Sequence, residues 1–254
     1  MKTTKRLLFL VSNAGNRGTD SYLSGVPVDM NKYATFFQSP QGGNWKKEEI
    51  LKFNSKRTKL TIESLKDKLS KGYDYCIFIY CGHGSLNTHN ESCVYLDKDS
   101  TDLTKIQDIV NAFDKERVLF IFDCCRGTWN DASSSTRHRA AFCAPPSLSR
   151  KDITKCLKMY NQAFMQIPAG TKKVAYSTSK EQYADEDSNG GLFSQSLITN
   201  VRTKLRGGTA GEIINFEDVF NEAKKEVETE TASEQIPELN PDNSLIHIPF
   251  AIVY

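Results

Sequence analysis

No apolar run in this sequence approaches the ~20 residues that a membrane-spanning helix needs. Near the N-terminus, Lys2, Lys5 and Arg6 precede Leu7-Leu8-Phe9-Leu10-Val11, but Ser12-Asn13 ends the run. A secretory signal carries ~7–15 apolar residues at that place, so the segment reads as a first β-strand. Charge of one sign is also missing: 33 basic residues face 31 acidic ones, for a net charge of +2. That balance points to neither nucleic acid nor an anionic membrane as a partner. The 7 cysteines, an odd number, lie at 76, 81, 93, 124, 125, 143 and 156 without framework spacing. Several fall inside apolar runs, where a reduced thiol behaves as a small hydrophobe. A reducing, cytoplasmic location is the expectation. Glycine and proline are not enriched, and no internal repeat is visible.

What remains is an ordinary globular composition, 39% hydrophobic and 25% charged, long enough at 254 residues to bury a sizeable core. Short apolar runs alternate with helical periodicity, the pattern of βαβ units around a mostly parallel sheet. The predicted strands are Leu7–Ser12, Ile50–Phe53, Tyr73–Cys81, Val118–Asp123, Lys173–Ser177 and Ile246–Tyr254. Two of them hardly alternate, as expected of strands covered on both faces. Helical stripes are Ile62/Leu65/Leu69 with Gly72 behind, Ile106/Ile109/Val110/Phe113 after Thr101 and Asp102 as caps, Ile153/Leu157/Tyr160/Phe164, and Phe216/Val219/Phe220/Ala223/Val227 behind Asn215. From Gly127 to Ser149 no hydrophobic period exists, and Ser133-Ser134-Ser135, Pro145-Pro146 and basic residues take its place.

Two predicted strands end in reactive side chains. One runs into Gly82-His83-Gly84, the other into Asp123-Cys124-Cys125-Arg126-Gly127. Functional crevices in parallel sheets lie beyond the carboxyl ends of the strands. If these strands are neighbours, a thiol and an imidazole emerge side by side, as nucleophilic catalysis requires. Strand periodicity says that one of the adjacent cysteines faces the crevice, but not which.

The segment Asp123–Gly127 resembles the caspase pentapeptide, Gln-Ala-Cys-x-Gly with a histidine about 50 residues upstream; here His83 lies 42 positions before Cys125. The Asp-x-Cys form is closer to metacaspases and bacterial caspase-like proteins. Further similarity lies in Leu23–Met30, Gly42-Gly43-Asn44-Trp45, Tyr176–Asp187 with Gly191-Leu192-Phe193-Ser194, and Gln235-Ile236-Pro237.

The resemblance implies a caspase-like three-layer α/β sandwich with about six strands, the last antiparallel, and helices on both faces. It implies one domain over residues 1–254, in which residues 1–126 correspond to a large subunit, 127–150 to a flexible linker and 151–254 to a small subunit. It aligns Cys125 with the nucleophile and His83 with the acid–base partner, and it assigns the oxyanion donors to the backbone N–H groups of Gly84 and Cys125. In metacaspases an acidic S1 pocket selects Arg or Lys at P1, and Asp123 and Asp29 match its two carboxylates. The rival is an acidic P1 held by Arg17 or Arg126. A basic P1 would make Arg137, Arg139 and Arg150 sites of self-cleavage.

Expected substrates are proteins or peptides, with a regulatory protein or activating ligand and without nucleic acid or membrane. A caspase-like scaffold that acts by binding alone is the rival from another class. The chemistry requires no cofactor. Calcium activation, known among metacaspases, stays open, because Asp185-Glu186-Asp187 also reads as a solvated turn. Cys81, His83, His89 and Cys93 match no common structural zinc spacing, so no metal site is expected.

Overall fold

The computed structural model describes residues 4–54, 60–96, 102–128, 149–241 and 245–254. In chain order its main strands are β1 (Arg6–Asn13), β2 (Ile50–Asn54), β3 (Tyr75–Gly82), then the short β4 (Gly84–Leu86), β5 (Ser92–Val94) and β6 (Thr104–Lys105). They are followed by β7 (Arg117–Asp123), β8 (Lys172–Tyr176), β9 (Glu186–Asp187), β10 (Gly190–Gly191), β11 (Ile213–Asn215), β12 (Glu238–Asn240) and β13 (Pro249–Ile252). The helices are α1 (Val26–Gln38), α2 (Ile62–Leu69), α3 (Ile106–Ala112), α4 (Arg150–Gln166), α5 (Leu192–Gly207) and α6 (Phe216–Glu230).

Six strands form one sheet in the order β12-β8-β7-β3-β1-β2. All neighbours are parallel except β12, which runs antiparallel to β8. Because successive side chains of a strand point to opposite faces, each central strand feeds two cores. Leu8, Leu10, Ile77, Ile79, Leu119 and Ile121 meet residues of α1, α4, α5 and α6 on one face. Phe9, Phe78, Phe120 and Phe122 meet residues of α2 and α3 on the other. The unbroken apolar runs of β3 and β7 follow from that double coverage.

Three expectations need correction. The antiparallel sixth strand is β12, not the C-terminal segment: β13 leaves the main sheet and pairs with β11. Pro249 stands first in β13, where its missing N–H costs least. Two helices, α1 and α5, lie outside the predicted stripes, although α5 shows helical spacing in Leu192, Phe193, Leu197, Ile198 and Val201. The N-cap of α3 is Lys105 rather than Asp102, and Thr101 lies outside the described residues.

The irregular segment is described only at its edges. Arg137 and Arg139 lie outside the described residues. Arg150 is already helical, the first residue of α4 behind the N-cap Ser149, and its carbonyl accepts from Thr154 Oγ1 at 3.0 Å.

Candidate active site

The register of β3 and β7 decides where the reactive groups emerge. Cys81 and Asp123 are partners on the last shared rung. His83 and Cys125 each follow two residues later, at the same edge of the sheet. Alternation also separates the two cysteines. Asp123 lies on the α1/α5 side, while Cys124, only 2% exposed, joins the α2/α3 core beside Phe122. Cys125 keeps some of its surface open. A cleft of about 420 Å³ is lined by Asp29, His83, Gly84, Asp123, Cys125 and Glu186, among others. Thus every expected catalytic, oxyanion and S1 residue borders one cavity.

His83 is anchored through Nε2, which lies 2.8 Å from the Ser21 carbonyl oxygen. A carbonyl only accepts, so Nε2 carries the proton and Nδ1 is the basic nitrogen. Burial pulls the imidazole pKa below its ordinary value, only partly offset by Ser21. The Cys125 Sγ accepts a long hydrogen bond from the Ala184 N–H at 3.4 Å. Burial, then the charges of Asp123, Asp185 and Glu186, push this thiol up, against that one hydrogen bond. Both shifts favour a neutral imidazole beside a neutral thiol at rest. Gly84 packs against the nucleophile loop so closely that a Cβ there would lie 2.6 Å from the Cys125 carbonyl oxygen.

Below Cys125 the cleft is acidic. Asp29, in the first turn of α1, is 1% exposed and Asp123 is 6% exposed. Both turn toward the N-terminus of α5. Asp29 Oδ2 accepts the Gly191 N–H at 2.7 Å, and Asp123 Oδ2 accepts the Ser194 hydroxyl at 2.5 Å and its N–H at 3.2 Å. The positive end of a helix stabilises a carboxylate by about 2 kcal/mol at most. Removing a charge from water costs several. Burial therefore wins: the Asp123 carboxyl is raised, and that of Asp29 is raised well above the usual range by burial and then by Asp123. Asp29 Oδ1 is buried without a hydrogen-bond partner among the described residues. The β9–β10 hairpin closes over both groups. A Cβ on Gly190, whose φ is +123°, would lie 2.0 Å from Asp29 Oδ1, and one on Gly191 2.6 Å from Asp123 Oδ2.

Sequence alone assigns no role to Ser21, Ser194, Ala184 or Glu186, although the last three lie in the segments Tyr176–Asp187 and Gly191–Ser194. Glu186 lines the cleft, and burial pushes its carboxyl up to about 7. Its signal was membership of Asp185-Glu186-Asp187, which splits by function. Asp187, the last residue of β9, accepts from Asn189 N at 2.7 Å and Gln195 Nε2 at 3.0 Å and so holds the hairpin turn. Glu186 instead accepts backbone hydrogen bonds from Gly25 and Ser24. Asp185, Glu186 and Asp187 do not gather into one ligand cluster among the described residues. Among the described residues, one group brings three ligand-type atoms within 4.8 Å of one another: Asp29, Cys81 and Asp123. Its carboxylates already hold the start of α5, and the thiol is pushed well up by burial, a poor set for a resident metal.

Of the two arginines considered for an acidic P1, Arg126 is engaged away from the cleft. Arg126 is 5% exposed and points to the opposite side of the loop. Its guanidinium binds Glu238 at 2.5 Å, the Thr178 carbonyl at 2.9 Å and Ser92 Oγ at 2.9 Å, and lies 4.1 Å over the Tyr176 ring. Arg17 is exposed at the rim, where it donates to Tyr22 Oη at 3.3 Å, and Tyr22 lines the cleft.

The fold is similar to that of Caspase-1 from Spodoptera frugiperda, whose crystal structure matches with a TM-score of 0.62 at 13% identity, over 98% of this chain and 91% of that one. No curated protein matches the sequence. Among the described residues, no helix is long and apolar enough to cross a membrane. A family model described as the caspase domain covers residues 5–244, and the chain therefore belongs to the caspase-domain family of cysteine peptidases.

Proposed function

We propose that this chain is a cysteine endopeptidase that cleaves after Arg or Lys, with Cys125 as nucleophile and His83 as its acid–base partner. The observation that carries the specificity is Asp29 Oδ1, a buried acceptor without a partner in the cleft that Asp123, Glu186 and Cys125 share. A buried polar atom left unpaired is costly. A P1 guanidinium or ammonium entering this acidic floor supplies the missing donor and draws the Asp29 proton off. An acidic P1 would meet three carboxyl groups instead, with Arg126 committed to Glu238.

From the neutral resting pair, His83 Nδ1 takes the Cys125 proton as sulfur attacks the scissile carbonyl. The Gly84 and Cys125 N–H groups receive the developing oxyanion. Collapse of the tetrahedral intermediate breaks the C–N bond, and His83 returns its proton to the leaving amine. Water, deprotonated by the same imidazole, then hydrolyses the thioester. The Ser21 carbonyl holds the ring in the tautomer that this sequence of steps needs and stabilises the imidazolium between them. A metacaspase-like enzyme of this kind would process itself after Arg137 or Arg139. Cleavage after Arg150 would first require the N-terminal turn of α4 to fray.

The test is hydrolysis of fluorogenic peptides with Arg, Lys or Asp at P1 by wild type and Cys125→Ala, with and without calcium. Cleavage after Arg or Lys that disappears in the variant is expected. Cleavage after Asp alone would overturn the pocket assignment. No turnover together with no selective labelling of Cys125 by a peptidyl electrophile would make the protein a binding scaffold.

A further inference from the structure

A second cavity, of about 620 Å³, lies on the far side of the nucleophile loop. Its walls carry Lys105, Arg126, Lys180 and Lys224 against the carboxylates Glu91 and Glu238. Two of these cations are neutralised in place: Arg126 by Glu238 at 2.5 Å and Lys105 by Glu91 at 2.8 Å. The other two have no partner among the cavity's own carboxylates. Lys180, exposed on the loop after β8, donates to the Asn90 carbonyl at 2.9 Å and makes no ion pair among the described residues. Lys224, on α6, forms a long i,i+4 pair with Glu228 of its own helix at 3.8 Å, and Glu228 lies outside the cavity lining. The lining thus carries four cations against two carboxylates, a net positive charge, with Ser92, Gln107 and Asn240 as neutral polar groups around it.

From this arrangement we infer that the cavity is a binding site for a compact polyanion of the phosphate class, and that its occupancy reports to Cys125. The size suits a ligand larger than a single phosphate. Tyr176, the aromatic residue of its lining, has Arg126 over one face at 4.1 Å and is stacked with Phe122 at 6.0 Å. No face is left for a nucleobase, so charge rather than stacking selects the ligand.

The route to the cleft is short. Arg126 follows Cys125 directly, and its backbone is tied to the neighbouring loop on both sides: its N–H donates to the Gln182 carbonyl at 2.9 Å and its carbonyl accepts from Glu181 N at 2.8 Å. That same loop continues to Ala184, whose N–H donates to the Cys125 sulfur, and to Glu186 in the cleft. A polyanion that competes with Glu238 for the guanidinium pulls on the nucleophile and on the loop that holds it. Only this coupling half rests on the proposed role of Cys125.

The experiment titrates tripolyphosphate into the full chain by calorimetry, with ATP in parallel, and follows iodoacetamide alkylation of Cys125 by mass spectrometry with and without tripolyphosphate. One-to-one binding is expected, weakened by about tenfold per lysine removed in Lys180→Ala/Lys224→Ala. It should be unchanged in Lys66→Ala/Lys68→Ala, a control pair on α2. The alkylation rate should shift on binding in wild type and not in the cavity variant. Absence of binding at ~1 mM, far weaker than a built site of this charge should show, or equal binding by the cavity variant, would overturn the site. Binding that leaves Cys125 alkylation unmoved would overturn the coupling alone. ATP binding about tenfold tighter than tripolyphosphate would show base recognition and overturn the assignment to a bare polyanion.

Discussion

Replacing Asp29 by Asn should lower activity and raise stability, two effects of opposite sign from one buried atom. The exchange keeps the size of the side chain, and its amide oxygen can still accept the Gly191 N–H. In the folded chain, burial and Asp123 keep the Asp29 carboxyl protonated well above the ordinary range. In the unfolded chain it ionises near about 3.9. A folded pKa raised above the unfolded one means that the stability contribution is complete at low pH and declines as pH rises. The decline begins near pH 4 and amounts to about 1.4 kcal/mol per pH unit until the folded pKa is passed. Asparagine does not titrate. The variant should therefore match wild type near pH 4 and gain on it toward pH 7, by roughly 2–4 °C in Tm for each kcal/mol. For catalysis the sign reverses. The carboxylate that pairs with a P1 guanidinium is lost, and a charge-assisted hydrogen bond contributes about 1.5–3 kcal/mol. In kcat/KM for Arg substrates this is a fall of about 10- to 150-fold. Thermal melts from pH 4 to 8 and kinetics on matched Arg peptides read both. A variant that loses stability relative to wild type as pH rises would refute a protonated, buried Asp29. An unchanged kcat/KM would refute its place in the P1 pocket.

Gly15→Ala should disturb the base without touching the nucleophile: its φ is +74°, and a Cβ would lie 3.0 Å from His83 Nε2 and 3.2 Å from the Ser21 oxygen. The expected result is a fall in kcat of up to about 100-fold with KM little changed, and a kcat at wild-type level would show that the Ser21 contact does not orient the ring. Glu186, with its carboxyl pushed up to about 7, is largely protonated at pH 6 and ionised at pH 8. For a basic P1, kcat/KM should climb across that interval, and Glu186→Gln should flatten the climb; identical profiles would remove Glu186 from the pocket. Alkylation of Cys125 by iodoacetamide should be slow at neutral pH and rise to an inflection above the ordinary thiol value of about 8.5. Full reactivity at pH 6 would mean a thiolate–imidazolium pair at rest and would refute the neutral ground state.

Much of the architecture was legible because it is local. The double-faced apolar runs of β3 and β7, the stripes of α2, α4 and α6, and the glycine-flanked histidine and cysteine after two strands are properties of short segments. From them follow a parallel sheet and a reactive pair at one of its edges. The antiparallel strand was misjudged for the opposite reason. Glu238–Asn240 is only three residues long and carries little hydrophobic signal, while the more apolar C-terminal segment finds its partner in β11.

The sequence by itself determined which strands are buried and which two end in a histidine and a cysteine pair, since a run of side chains cannot hide its own hydrophobicity. Tertiary structure alone decided which atoms meet. The β3–β7 register and strand alternation sent Cys124 into the core and left Cys125 at the cleft. Glu238, far along the chain, turned Arg126 away from it. Asp29 and Asp123 came together because the N-terminal N–H groups of α5 needed acceptors and found none within their own helix. Such meetings depend on the summed packing of distant segments, which no short stretch of sequence encodes.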